Sequence, residues 1–153
     1  MGNHSAPLII LIADDDEDDC LLVESAFREM GSHYNLRFVG DGRELMDYLL
    51  NKGDFSDPEA YPLPNLILLD LNMPRIDGRE ALTKIKSAPH LRYIPVLILT
   101  TSMEQKDIDF TRKYGASSFL VKPDVFEDLT AMLSKSCTAI LDNPHIAFQV
   151  IGR

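Results

Sequence analysis

The stretch from Asn65 to Pro74, NLILLDLNMP, decides the fold of this chain. Its apolar run delivers one carboxylate, Asp70, to its far end, and a proline follows within a few residues. A run of this kind is typical of a strand buried on both faces of a parallel sheet. Two further apolar runs end in the same manner: residues 8–13 lead to Asp14 and Asp15, and residues 118–121 lead to Lys122.

Apolar runs and helical periodicity alternate five times along the chain. The pattern predicts strands at 8–13, 36–39, 66–69, 95–99 and 118–121, and helices at 16–30, 43–51, 78–87, 104–114 and 124–141. Such alternation predicts an α/β fold, a doubly wound five-stranded parallel sheet in the order 2-1-3-4-5 with five helices, as in flavodoxin-like proteins. We therefore expect one domain over residues 8–141, with tails at 1–7 and 142–153.

The C-terminal tail carries alternating apolar residues after the break at Asn143-Pro144, namely Ile146, Phe148 and Val150. Two interpretations stay open at this point. The tail packs on its own domain, or it forms an arm that reaches a partner subunit. The chain is accordingly expected to be a monomer or a homodimer.

Composition excludes several classes of protein. The formal net charge is -9, and no cluster of Lys and Arg forms the basic face that a nucleic-acid partner requires. No apolar run approaches the roughly 20 residues that span a bilayer, so we expect no membrane partner. The first residues are short and polar, unlike a secretory signal, and two cysteines are too few for a disulfide framework. These features predict a cytoplasmic protein.

The acidic residues at the predicted strand ends pose an electrostatic problem. The ends of strands one and three bring Asp14, Asp15 and Asp70 together, and three carboxylates repel unless a cation intervenes. Mg²⁺ prefers such oxygen ligands and keeps waters that a phosphate can replace. Lys122 and the hydroxyl of Thr100, at two other strand ends, can both reach a phosphoryl oxygen. Each residue alone has an ordinary explanation as a solvated acid, a cap or a surface side chain, but their joint position predicts a metal and phosphoryl site.

Four short motifs resemble the receiver domain of two-component response regulators over residues 8–141. They are Ala13-Asp14-Asp15, Leu69 to Pro74 with Asp77-Gly78, Leu99-Thr100-Thr101, and Val121-Lys122-Pro123. The resemblance implies that Asp70 accepts a phosphoryl group from a phosphohistidine on a sensor histidine kinase. It also implies a Mg²⁺ ion held by Asp15, Asp70 and the Asn72 carbonyl, with Asp14 acting through water.

The same resemblance implies three further features. Thr100 and Lys122 bind the transferred phosphoryl group, Phe119 occupies an aromatic switch position, and the Lys122-Pro123 peptide is cis. The protein is then a phosphoacceptor that catalyses only its own phosphorylation and dephosphorylation. It signals through protein contacts, and the twelve residues after Leu141 are too few for an effector domain.

A narrower resemblance concerns the kinase. The long segment 52–64 and the Leu-Thr-Thr-Ser sequence at 99–102 are similar to stand-alone regulators that serve bacterial phytochrome kinases. This similarity implies a bacteriophytochrome as the kinase, and it leaves the downstream target unnamed.

Three other functions suit these residues less well. A phosphohydrolase with an aspartyl-phosphate intermediate needs a second acid two residues beyond the nucleophile, where this chain has Asn72. A flavodoxin-like electron carrier needs a Ser/Thr/Gly-rich loop after the first strand, where this chain has six acids. A receiver that has degenerated into a scaffold is disfavoured because every key residue is present.

Overall fold

The computed structural model describes residues 6–152, so most of the predicted tail at 1–7 lies outside the described residues. The strands are β1 Leu8–Ala13, β2 Tyr34–Val39, β3 Leu66–Leu69, β4 Val96–Thr100, β5 Ser118–Val121 and β6 Val150–Ile151. The helices are α1 Glu17–Met30, α2 Gly42–Leu49, α3 Gly78–Ser87, α4 Gln105–Lys113 and α5 Phe126–Asp142, with a short 3₁₀ turn at Gly53–Phe55.

All neighbouring strands pair in parallel, in the order β2-β1-β3-β4-β5-β6. The α/β class, the five helices and the predicted order of the first five strands are confirmed. The sheet has six strands among the described residues, whereas the sequence predicted five. The sixth strand was missed because it has only two residues, too few for an alternating pattern to identify it.

The C-terminal tail packs on its own domain. The Phe119 amide donates to the Gln149 carbonyl at 2.9 Å, which joins the tail to the free edge of β5. Phe148 packs against the core on one face of the sheet, with the Arg112 guanidinium 4.9 Å from its ring centroid, whereas Ile151 packs against the core on the other face. The first of the two interpretations of the tail therefore describes this chain.

Helices cover both faces of the sheet, and each buries one apolar stripe. On α1 the buried residues are Val23, Ala26 and Phe27, whereas Leu22 is 46% exposed. Helical periodicity alone also fits a stripe of Leu22, Ala26 and Met30. Two neighbouring stripes fit the same periodicity, and packing against α5 selects the one that starts a residue later. In the described part of the chain, no helix is both long and apolar enough to cross a membrane.

Aspartates cap the first three helices, which begin after the carboxyl ends of β1, β2 and β3. Asp16 caps α1 and accepts hydrogen bonds from the backbone amides of Asp18 and Asp19. Asp41 caps α2, and Asp77 caps α3. Each cap fixes where its helix starts, so the loops that carry the strand-end residues are short and held at both ends.

Candidate functional site

The predicted acids meet at the carboxyl edge of the sheet. Ala13 of β1 lies beside Leu69 of β3 in the parallel register, so the residues that follow them, Asp14 and Asp70, are neighbours. Together with Asp15 they offer carboxylate oxygens that all lie within 4.8 Å of one another. Asp14 and Asp70 are buried, whereas Asp15 is exposed and forms the open side of the cluster.

Lys122 reaches the same cluster from the end of β5. Its Nζ lies 2.9 Å from Asp14 Oδ2 and 3.5 Å from Asp70 Oδ2. A third contact, at 2.8 Å, joins Nζ to Asp19 Oδ2 on α1. The side chain is only 10% exposed, so the ammonium is the resident cation of the acidic cleft.

The pKa values of Asp14 and Lys122 both lie above their usual values, for different reasons. Burial raises the pKa of Asp14 above its usual value, although hydrogen bonds from the Asp16 amide and from Lys122 oppose the shift. Burial by itself would lower the pKa of Lys122, but the hydrogen bonds to Asp19 and Asp14 and the charge of Asp70 raise it above its usual value. The ammonium is therefore fully charged at neutral pH and stabilises carboxylates that would otherwise be costly to ionise.

Thr100 of β4 and Phe119 of β5 are fully buried. Thr100 ends β4, where its carbonyl accepts the Lys122 amide at 2.8 Å, and its Oγ1 accepts the Ser102 amide at 3.3 Å. Phe119 pairs with Ile98 in the β4–β5 register. The strand register thus places both predicted residues on the two strands that end nearest Lys122, and their switching role stays a prediction.

The loop after Asp70 is folded tightly against α3. The Asn72 amide donates to Asp70 Oδ1 at 3.3 Å, and Asn72 itself is exposed. The Gly78 amide donates a hydrogen bond to the Leu71 carbonyl at 2.9 Å. A Cβ at Gly78 would lie 2.6 Å from the Leu71 Cα and closer still to the Asp70 carbonyl oxygen, so only glycine fits there. This contact fixes the backbone from which the Asp70 side chain projects.

Sequence reasoning missed Asp19. It lies one turn into α1 within a run of six acids, Asp14 to Asp19, and such a run does not indicate which members face a site. The cap at Asp16 sets the helix register that turns Asp19 toward Lys122.

Sequence reasoning also missed a hydrogen-bonded cluster of Ser102, Asp107 and Arg79. These residues come from three different elements, so no local spacing could have identified them.

The Lys122–Pro123 peptide was predicted to be cis, and that prediction is wrong. No cis peptide bond occurs across residues 6–152. The trans form of an X–Pro bond is the ordinary one, favoured by about 0.5–1 kcal/mol. Lys122 reaches the acids from this trans geometry.

The donor set suits a hard divalent cation. Three carboxylates converge within 4.8 Å, one of them open to solvent, and Mg²⁺ characteristically binds through one or two carboxylates while it keeps several waters. The cleft places a buried carboxylate, Asp70, beside the Lys122 ammonium, whose charge can stabilise a transferred phosphoryl group.

Three solved relatives resemble this chain closely. Response regulator Rcp1 of Synechocystis sp. is 37% identical over 127 residues, which cover 83% of this chain and 84% of Rcp1. Its Mn²⁺-bound crystal structure aligns with a TM-score of 0.80 over 90% of this chain and 96% of that one. The phosphorylated cyanobacterial phytochrome response regulator RcpA is 31% identical, with a TM-score of 0.81 over 92% of this chain and 98% of that one. Response regulator RPA3017, from red light signalling of R. palustris, is 32% identical, with a TM-score of 0.82 over 91% of this chain and 96% of that one.

A family model agrees with these relatives. The response regulator receiver domain matches residues 10–134, which include the carboxyl ends of strands β1 to β5. The site geometry, the strand order and this match lead to one conclusion: the chain belongs to the response regulator receiver family of two-component signalling.

Proposed function

We propose that Asp70 is the phosphoacceptor and that a sensor histidine kinase supplies the phosphoryl group. The observation that carries this proposal is the position of Lys122 Nζ, 3.5 Å from Asp70 Oδ2 inside the cluster of three carboxylates. Thr100 and Lys122 then bind the transferred group through a hydroxyl and an ammonium. Asp70 is the natural acceptor because it is the acid at the end of the central strand that also faces the lysine.

The transfer needs little beyond positioning and charge. An oxygen of Asp70 forms a bond to phosphorus as the phosphorus–nitrogen bond of a phosphohistidine breaks. The electron pair stays on the leaving imidazole, whose other nitrogen already carries a proton. Lys122 supplies a fixed positive charge beside the product, which holds about two negative charges.

Asp14, Asp15 and Asp70, with the Asn72 carbonyl, are the residues that would hold Mg²⁺. When bound, the ion supplies positive charge that screens the carboxylates from the incoming phosphoryl group. The convergence of three carboxylates supports this assignment, as does the Mn²⁺-bound form of Rcp1. The ligands are supplied by two loops that follow neighbouring strands, β1 and β3, so they are preorganised by the sheet.

The kinase is proposed to be a bacterial phytochrome. RcpA is described as a phytochrome response regulator, and RPA3017 belongs to red light signalling, which supports a light-sensing partner for this chain. We further propose that the protein is a switch rather than an enzyme that turns over phosphate esters, because Asn72 stands where such an enzyme needs an acid.

The phosphoacceptor assignment is tested by intact mass measurement after treatment with acetyl phosphate and Mg²⁺. The wild type is expected to gain one acid-stable, base-labile phosphate, and Asp70→Asn is expected to gain none. Asp77→Asn is the matched control, because Asp77 caps α3 in the same loop without joining the cluster of three carboxylates. Equal phosphorylation of the wild type and Asp70→Asn would contradict the proposal.

A further inference from the structure

A second polar cluster lies next to the site and joins three elements. Asp107, in the first turn of α4, is 3% exposed. Its Oδ1 accepts Arg79 Nε, from the start of α3, at 2.8 Å, and its Oδ2 accepts the Ser102 hydroxyl, from the β4–α4 loop, at 2.7 Å. The hydrogen bond from Arg79 lowers the pKa of Asp107 against the opposing effect of burial, so the carboxylate is ionised at neutral pH.

The cluster connects to the site through Ser102. While the Ser102 hydroxyl is held by Asp107, its amide donates to Thr100 Oγ1 at 3.3 Å. A continuous chain of hydrogen bonds therefore runs from Arg79 through Asp107 and Ser102 to the hydroxyl that is proposed to bind the phosphoryl group. A buried carboxylate that loses a donor is costly, so Ser102 is held firmly in place.

We propose that Ser102, Asp107 and Arg79 are positioning residues that hold Thr100 in its resting place and so oppose its engagement with a phosphoryl group on Asp70. This inference rests on the proposed function of Asp70. If Thr100 turns toward the phosphoryl group, its long bond from the Ser102 amide weakens, because Ser102 cannot follow while Asp107 holds it. Thr100 and the Arg79–Asp107 bond lie at opposite ends of this chain and are linked reciprocally. Phosphorylation of Asp70 therefore also loosens the contact between α4 and α3.

Other polar pairs of α4 differ from this cluster. Gln105 Nε2 donates to Asp109 Oδ1 at 2.9 Å and Lys106 Nζ lies 3.1 Å from Glu104 Oε2, but all four of these residues are exposed. Exposed pairs of this kind contribute little to the stability of the folded protein. Asp109 lies two residues from Asp107 on the same helix, so Asp109→Asn removes the same charge without touching the chain to Thr100.

The test measures the affinity for beryllofluoride, a phosphoryl mimic, in the presence of Mg²⁺ by NMR titration. Ser102→Ala and Asp107→Asn are expected to bind it about three- to tenfold more tightly than the wild type, which is the scale of one released hydrogen bond. Asp109→Asn is expected to stay within about twofold of the wild type. Ser102→Ala changes no charge and removes only one hydroxyl, so it keeps the test valid if Asp107→Asn folds poorly.

The outcomes separate the two proposals. If Ser102→Ala binds the mimic as the wild type does, or more weakly, the positioning role is overturned while the proposed function stands. If Asp107→Asn and Asp109→Asn both bind beryllofluoride more tightly and to the same extent, the cause is the loss of a negative charge. That result would also overturn the positioning role. If the wild type does not bind beryllofluoride at all, the proposed function fails, and the inference fails with it.

Discussion

Lys122 Nζ lies closer to Asp19 Oδ2, at 2.8 Å, than to Asp70 Oδ2, at 3.5 Å. In this state the ammonium is shared between α1 and the strand-end acids, with Asp14 at 2.9 Å as its third partner. The Asp19 side chain is 32% exposed and that of Asp14 only 4%. Asp19 is therefore the partner that Lys122 gives up at least cost when a phosphoryl group arrives on Asp70.

Replacement of Lys122 by methionine is expected to destabilise the protein by about 3 kcal/mol at pH 7, because it leaves buried carboxylates without their cation. Chemical denaturation measures the effect, and Lys135→Met, at an exposed lysine of α5, is the control. Mg²⁺ should restore part of the loss. A variant as stable as the control would show that Lys122 does not balance these acids.

Binding of Mg²⁺ is expected to raise the thermal stability of the wild type, by about 2.7 kcal/mol when the ion is at 100 times its Kd. Asp15→Asn should reduce this gain strongly, because it removes the open ligand of the cluster. Asp18→Asn, an exposed acid of the same run, should preserve it. Differential scanning calorimetry with and without the ion checks the prediction, and an equal gain in both variants would contradict it.

The environment of Lys86 is expected to make the stability of the protein depend on pH. Its Nζ donates to the carbonyls of Arg92 and Ile94 at 2.9 and 2.7 Å, and burial lowers its pKa from 10.5 to about 8. Between these values the unfolded chain binds more protons than the folded one, so this group makes stability rise with pH from about 8 to 10.5. We expect the rise to amount to about 1–3 kcal/mol.

The measurement compares denaturation of the wild type and Lys86→Met across that range of pH. Lys84→Met, at an exposed lysine on the same helix, should keep the wild-type slope. If Lys86→Met also shows the wild-type dependence of stability on pH, the pKa of Lys86 is not lowered and the prediction is wrong.

Phe148→Ala is expected to loosen the tail and to speed hydrogen exchange at the Phe119 amide, whose acceptor is the Gln149 carbonyl. The half-buried ring should cost about 1–2 kcal/mol of stability when removed. Exchange at Leu68, in central strand β3, is the internal reference and should change only with global stability. If Phe119 exchange is no faster relative to Leu68, the tail does not protect the β5 edge.

The sequence predicted the sheet well where burial on both faces dictates the pattern. The predicted ranges of β1, β3, β5 and α3 agree with the structure, because continuous apolar runs and a capped amphipathic helix leave little choice. Strand order followed from the common doubly wound arrangement that alternating strands and helices adopt. The strand β6 could not be predicted, since its pairing depends on an edge that exists only after the sheet forms.

The same distinction holds at the site. Asp14, Asp70 and Lys122 were predictable because strand ends of a parallel sheet share one edge. Asp19 and the bond between Arg79 and Asp107 depend on helix rotation and on contacts between separate helices. Helix rotation and contacts between helices are set by tertiary packing, which the spacing of residues along the chain does not indicate.

Gly78 places a limit on how this chain can vary. A side chain there would collide with the Asp70 carbonyl and the Leu71 Cα. Saturation mutagenesis at this codon should therefore tolerate glycine alone, whereas the preceding cap, Asp77, should accept Ser or Asn as well. Two adjacent positions thus differ sharply in the residues they accept. Gly78 is restricted because the backbone is crowded around it, although it takes no part in the chemistry of the site.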